Sequence, residues 1–345
     1  MTAVDTGASP VQQLRAGARS RYRLVTGALV AILFAVAALT LLWGVGLGEV
    51  TEHVAYLLGA DADRSFAVRL RLPRLVMGVG VGVAFGLSGA LFQTVLRNPL
   101  ASPDIIGVTG GASLAGAWAI LFAGLTGAWV SVAAFAGAAV VAAAILLLSW
   151  RGELSGYRFV LVGVGLAFVC QSGIGYLVTR SQVEDVRSAL VWMVGSIGTP
   201  GWGSVAVLAL GLLGLLPLTG YAGWRLRAMQ LGDETAAGLG LRVGPTRVLI
   251  LTLGVALAAL ATAFVGPIAF VAFMSAPIAR RLLPAAGPTL LPSALVGAVV
   301  VLGAELVCEH LLTGLEVPVG IVTGVIGAPY LLWLLATGTM RRSPR

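Results

Sequence analysis

An all-α, polytopic membrane protein of about ten transmembrane helices is the fold this sequence predicts, on three observations. Hydrophobic residues make up 58% of the 345 residues and charged residues only 10%, a balance outside the range of soluble domains. Charge-free windows run from Leu24 to Gly48, Leu75 to Leu96, Ile105 to Trp150, Phe159 to Thr179, Ser188 to Trp224, Val248 to Ala279, Leu282 to Ala304 and Val317 to Met340. Each reaches the roughly 20 residues that carry a helix across hydrocarbon. Lipid cannot satisfy backbone hydrogen bonds, so a spanning segment is a helix or part of a closed barrel, and runs without strict alternation exclude the barrel.

The first span is expected over 25–47, behind a polar segment that lacks the apolar run of a cleavable signal peptide. The second covers 75–96. The window Ile105–Trp150 would be about 69 Å long as one helix, and Gly124-Leu125-Thr126-Gly127 divides it into spans over 105–124 and 128–149. A fifth span follows over 159–179. Gly195, Gly198, Pro200 and Gly201 interrupt the next window, giving a short interfacial segment and then a span from Gly203, over 203–222. Gly266-Pro267 separates a span over 248–266 from a short, kinked one over 268–283. The last two spans fall at 290–312 and 318–337. The expected domains are a cytoplasmic segment 1–24, a single transmembrane permease domain 25–338 and a cytoplasmic tail 339–345.

Charge placement orients the bundle. Cytoplasmic loops hold an excess of basic residues; with both termini inside, 16 of the 22 arginines lie on that side. A formal charge of +8 spread along membrane flanks points to lipid, not to nucleic acid. The chain has no lysine, so it has no Walker A loop and no ATPase site of its own. Cys170 and Cys308 stand inside apolar windows as small core residues, and two histidines form no metal pattern with them. Paired carboxylates or a Ser/His arrangement in one layer are also missing, so no catalytic residue, metal or cofactor is expected.

Two segments carry more than composition. Arg71-Leu72-Pro73-Arg74 places positive charge on the outer side, against the general bias, and two guanidinium forks around a proline suit carboxylates of a docking partner. Anchoring to headgroups is the plainer reading. The run from Ser88 to Ser113 contains Asn98-Pro99 to end a helix, Asp104 to cap the next one, and small residues for close packing. A tight turn does not explain the whole string.

Read together, Gly89-Ala90-Leu91-Phe92-Gln93-Thr94-Val95-Leu96-Arg97-Asn98-Pro99-Leu100-Ala101-Ser102-Pro103-Asp104-Ile105-Ile106-Gly107 and the Arg-Leu-Pro-Arg segment resemble the FecCD-type permeases of ABC importers for iron-siderophore complexes, haem and vitamin B12. Trp192-Met193-Val194-Gly195-Ser196, Leu231 to Gly240, Gly266 to Val271 and Pro318 to Pro329 match further signatures of that family, in order, across roughly residues 60–338. Gly-Pro-Ile-Ala-Phe-Val with Arg280-Arg281 behind it is similar to the catecholate, enterobactin-like branch. Two positions depart: Pro277-Ile278-Ala279-Arg280 lacks a histidine many members carry, and Glu309 stands where members often have arginine.

The resemblance implies a type II importer permease in the bacterial cytoplasmic membrane, moving ferric siderophore with energy from a separate ATP-binding subunit. An extracytoplasmic siderophore-binding protein would dock at Arg71 and Arg74. The ATPase would receive a short helix formed by Leu231, Gly232, Asp233, Glu234, Ala236, Leu239 and Gly240, beginning near Asp233 and closing at Gly238 or Gly240. A second permease subunit, identical or related, would complete the pathway, lined from the fifth and tenth spans, with Gln171, Ser172, Trp192 and Thr323 as candidate groups. Glu305, Glu309 and His310 fall near the outer end of the ninth span, at a depth where hydration accounts for them. An ion-coupled secondary transporter working alone is the alternative; it needs ionisable groups near the midplane, where Glu305 is the sole candidate.

Overall fold

The structure is a computed structural model that describes residues 10–43, 70–151, 153–154, 156–284, 287–312 and 317–337. Twelve α-helices lie among them: α1 (Pro10–Leu42), α2 (Leu72–Val95), α3 (Val108–Leu121), α4 (Ala128–Ser149), α5 (Gly156–Thr179), α6 (Val183–Val194), α7 (Trp202–Met229), α8 (Asp233–Gly238), α9 (Val243–Val265), α10 (Val271–Leu282), α11 (Leu290–Leu306) and α12 (Val319–Thr337). A π-helical turn, Val307–Leu311, continues α11. A two-residue antiparallel pairing, Trp150–Arg151 with Glu153–Leu154, links α4 to α5.

Among the described residues, eight helices are long and apolar enough to cross a membrane: those carrying α1, α2, α4, α5, α7, α9, α11 with its π turn, and α12. The third and eighth expected spans are shorter than the windows suggest. α3 has 14 residues and α10 has 12, or about 21 Å and 18 Å of helix. Irregular chain precedes each, at 96–107 and 266–270. The interfacial segment expected before Gly203 is α6, and α7 begins at Trp202. α1 starts well before the expected span.

α2 is the centre of the bundle. Its apolar window is 72% buried, as is that of α9, against 11% for α1, and it packs on α11, α9, α10 and α7. Small residues make this possible. A Cβ added at Gly82 would lie 2.5 Å from Ala298 Cα, at Gly86 2.2 Å from Ser293 O and at Gly89 1.8 Å from Ala272 O. α2 thus crosses α11 and α10 backbone to backbone, the close approach that drives helix association in lipid. Phe85, Phe92 and Phe159 fill the core beside it.

Two ends result. The basic end gathers Arg21, Arg97, Arg247 and Arg280, with Arg21 Nε donating to Leu282 O at 3.2 Å. The opposite end holds Arg71, Arg74, Glu305, Glu309 and His310.

Candidate functional site

The string from Gly89 to Gly107 is a construction set for the basic end. Gly89 admits the α10 backbone. One turn on, buried Gln93 donates to Phe273 O at 2.9 Å and accepts from Arg280, fastening α2 to both ends of α10. The helix then closes with a Schellman motif: Arg97 N–H bonds Thr94 O and Asn98 N–H bonds Gln93 O. Arg97 occupies the left-handed position, φ 49°, where glycine is usual. Its side chain accounts for the choice. Asn98 Oδ1 accepts from Leu100 N–H at 2.9 Å, forming the turn that Pro99 demands.

Arg97 NH2 reaches Met229 O at 2.8 Å and Asp233 Oδ1 at 2.9 Å, while Arg247 NH2 holds Asp233 Oδ2 at 2.6 Å. Asp233 is the first residue of α8, whose six residues are too few to persist as an isolated helix. Gly232, φ 108°, turns the chain into it. At its other end Gly240 is left-handed, φ 85°, with Leu241 N–H on Ala236 O and Gly240 N–H on Ala237 O, a second Schellman motif. The expected start near Asp233 and the closure at Gly240 are both present. Arg97 is 55% and Asp233 43% exposed, so that pair stabilises by about 1 kcal/mol or less, while Arg247 is half-buried; what the two pairs fix is direction. Ala236 faces inward, buried, and Leu231, Glu234 and Leu239 stand exposed around it. The sequence showed the helix but not its fastening, because Arg97 and Arg247 lie far from Asp233 in the chain.

Asp104 does not cap α3. The N-cap is Gly107 in the left-handed region, with no side-chain bond. The Asp104 carboxyl, in the connection outside both spans, accepts from Thr109, its Oδ2 is buried without a partner, and burial pushes its pKa up to about 7. The folded carboxyl therefore holds its proton to higher pH than the unfolded one. Its stabilisation is full below the ordinary value of 3.8 and is lost as pH rises through about 7. Asp104→Asn should flatten this dependence. The thermal midpoint of the variant should change less between pH 8 and pH 5 than that of the parent, and equal slopes would refute the assignment.

At the opposite end the two forks of the Arg-Leu-Pro-Arg segment are engaged within the chain. Arg71 NH1 donates to Leu41 O at 3.0 Å and Trp43 O at 2.9 Å, tying the end of α1 to the start of α2. Arg74 pairs with Glu305, and its NH1 lies 3.5 Å from Glu309. Glu305 is 1% exposed, so hydration is not what accommodates it. The close α2–α11 crossing brings a guanidinium to it. His310 stacks on Trp43 with centroids 4.9 Å apart. Glu309, a departure from the family pattern, joins this cluster.

The four pathway candidates do not meet in one place. Gln171 and Ser172 are exposed on α5. Thr323 is buried in α12 and donates to Gly320 O at 3.2 Å. Trp192 on α6 packs on Gly116 of α3 and borders a cavity of about 920 Å³ with Met77 and Phe264. The later signatures instead meet one another. Ser196 N–H bonds Val265 O at 2.8 Å and Gly320 N–H bonds Gly195 O at 3.0 Å. A Cβ at Gly266 would lie 2.2 Å from Trp192 O, and one at Gly320 1.8 Å from Val194 O. Phe270, φ 66°, lays its ring over Gly327.

A helical membrane bundle that presents one short, externally fastened helix at its basic end defines a class, the transmembrane permease of an ABC importer. The same course is found in a metal-chelate type ABC transporter in an inward-facing conformation, with a TM-score of 0.78 at 27% identity over 92% of this chain and 99% of that one. The chain belongs to the FecCD transport family, matching it over residues 27–337. It is 38% identical to the Fe(3+)-citrate import system permease protein YfmE of Bacillus subtilis, over 82% of this chain and 85% of that protein. It is 33% identical to the ferric enterobactin transport system permease protein FepG of Escherichia coli, over 92% and 97%.

Proposed function

We propose that the chain is a permease subunit that admits a ferric siderophore through the bacterial cytoplasmic membrane, its basic end and both termini facing the cytoplasm. The relatives' names span ferric citrate and ferric enterobactin, which supports an iron(III) chelate as cargo without favouring the catecholate branch. The fastened helix α8 carries the reading: a separate ATP-binding subunit seats Leu231, Glu234 and Leu239 and moves α8 as a lever, because Asp233 links it to α2 and α9 through Arg97 and Arg247. Gly232, Ala236 and Gly240 shape that lever.

A second permease subunit covers the outward faces of α5 and α12, where Phe168, Tyr176, Val325 and Leu332 are exposed, and the chelate passes between the two copies beside Gln171 and Ser172. Trp192 and Thr323 brace the lining helices. A siderophore-binding protein docks at the opposite end. Arg71 meets it with the guanidinium donors that Leu41 and Trp43 leave over, and Arg74 sets the local charge with Glu305 and Glu309. The pairing of Glu305 with Arg74 supports a structural role for that acid over service as the ion site of a lone carrier.

The test is Asp233→Ala in the full transporter. Uptake of radioiron-loaded citrate or enterobactin should fall at least tenfold and less ATPase should co-purify, with the amount of permease in the membrane unchanged. Wild-type uptake and ATPase recovery would overturn the coupling role.

A further inference from the structure

Apart from α8 and the Arg97 network, α1, α7 and the turn before α11 enclose a cavity of about 510 Å³ at the basic end, lined by Arg19, Tyr22, Arg23, Arg227, Gly287 and Pro288. Arg19 and Arg23 stand one turn apart on α1, and Arg227 lies in the last turn of α7. All three are exposed. Among the described residues no carboxylate pairs with any of them, and the lining holds no acid. Three uncompensated guanidinium groups around one cavity favour an anion there.

The depth of the cavity says which anion. The charge-free run of α1 begins at Leu24, directly after Arg23. On α7 the exposed Tyr221 and Trp224, residue types that collect at the membrane interface, come just before Arg227. The arginines thus lie at headgroup level. Arg19 and Arg23 also border a second cavity of about 800 Å³ that continues along α1 past Leu24, Gly27, Ala28 and Ala31. The small residues Gly27, Ala28 and Ala31 leave room beside the helix for an acyl chain, on a helix that the bundle buries over only 11% of its apolar window.

We propose that this cavity binds an anionic phospholipid of the inner leaflet, its phosphate on Arg19, Arg23 and Arg227 and one acyl chain along the α1 groove. The lipid would join the peripheral α1 to α7, which the protein itself links weakly there. The inference rests on the orientation given above. It is read on the permease alone, so it stands or falls separately from the Asp233 test.

The experiment is native mass spectrometry of the delipidated full-length chain, titrated with phosphatidylglycerol or with phosphatidylcholine of the same acyl chains. Phosphatidylglycerol should bind at least tenfold more tightly. Each arginine removed should weaken it about fivefold, so Arg19→Ala/Arg23→Ala/Arg227→Ala should lose the preference. The triple lysine variant should keep most of it, and Arg180→Ala/Arg187→Ala, at the opposite end, should keep all of it. The thermal midpoint of each variant shows whether it is folded, and the lysine variant carries the test if the alanine variant is not. Equal binding of the two lipids, or a preference that survives the triple alanine variant, would overturn the proposal. So would displacement of phosphatidylglycerol by equimolar inorganic phosphate, which marks a free-anion site.

Discussion

Gly89→Val should prevent the permease from accumulating as a folded protein. A first carbon at this position would already lie 1.8 Å from Ala272 O. The obstacle is a backbone carbonyl, so no rotamer change can relieve it. α2 or α10 would have to move, and α2 is bound on its other faces by α11, α9 and α7. Gln93 and Arg280, one turn along the same contact, would lose their geometry as well. Overpacking that side chains can absorb costs about 1–3 kcal/mol; a displaced central helix exceeds that range. Gly214→Ala is the control, because nothing lies within 4 Å of that site, and it should leave stability unchanged or slightly raised. A monodisperse Gly89→Val protein with a parental thermal midpoint would show that the α2–α10 crossing is not as tight as described.

This crossing marks where the sequence was legible. The eight long spans follow from charge-free length and from the glycine breaks that divide the longer windows, and the Gly-Pro break before α10 from the loss of an N–H at Pro267. The short lengths of α3 and α10 were not readable, because hydropathy does not distinguish helix from irregular apolar chain that neighbouring helices cover. The motifs were legible as motifs and not as contacts. Gly195, Gly266 and Gly320 belong to three separate signatures, and nothing local says that each is a glycine because another's backbone occupies the space. For Arg97, the signal available was an arginine followed by Asn-Pro, a helix-ending context that puts a non-glycine residue in the left-handed region. The acid misread as hydrated, Glu305, needed one fact beyond the chain order, that α2 and α11 are neighbours.

Arg74→Ala separates the two uses the Arg-Leu-Pro-Arg segment could have. If the guanidinium served only a docking partner, its loss would weaken binding-protein association and leave the permease as stable as before. The structure places it on Glu305, whose side chain is 1% exposed, and removing one member of a buried pair leaves an uncompensated charge, at about 3–5 kcal/mol. Arg74 is itself 25% exposed, so water entering the vacated space reduces the cost toward the lower figure. The thermal midpoint of the purified variant should fall by several degrees. Arg74→Ala/Glu305→Gln should recover most of the loss, since the second change removes the stranded charge, and the cycle formed with Glu305→Gln alone gives the coupling directly. Arg71→Ala, whose partners are backbone carbonyls of Leu41 and Trp43, leaves no buried charge behind and should cost less stability while weakening docking more. An Arg74→Ala protein of parental stability, not improved by the second substitution, would return Arg74 to the docking face alone.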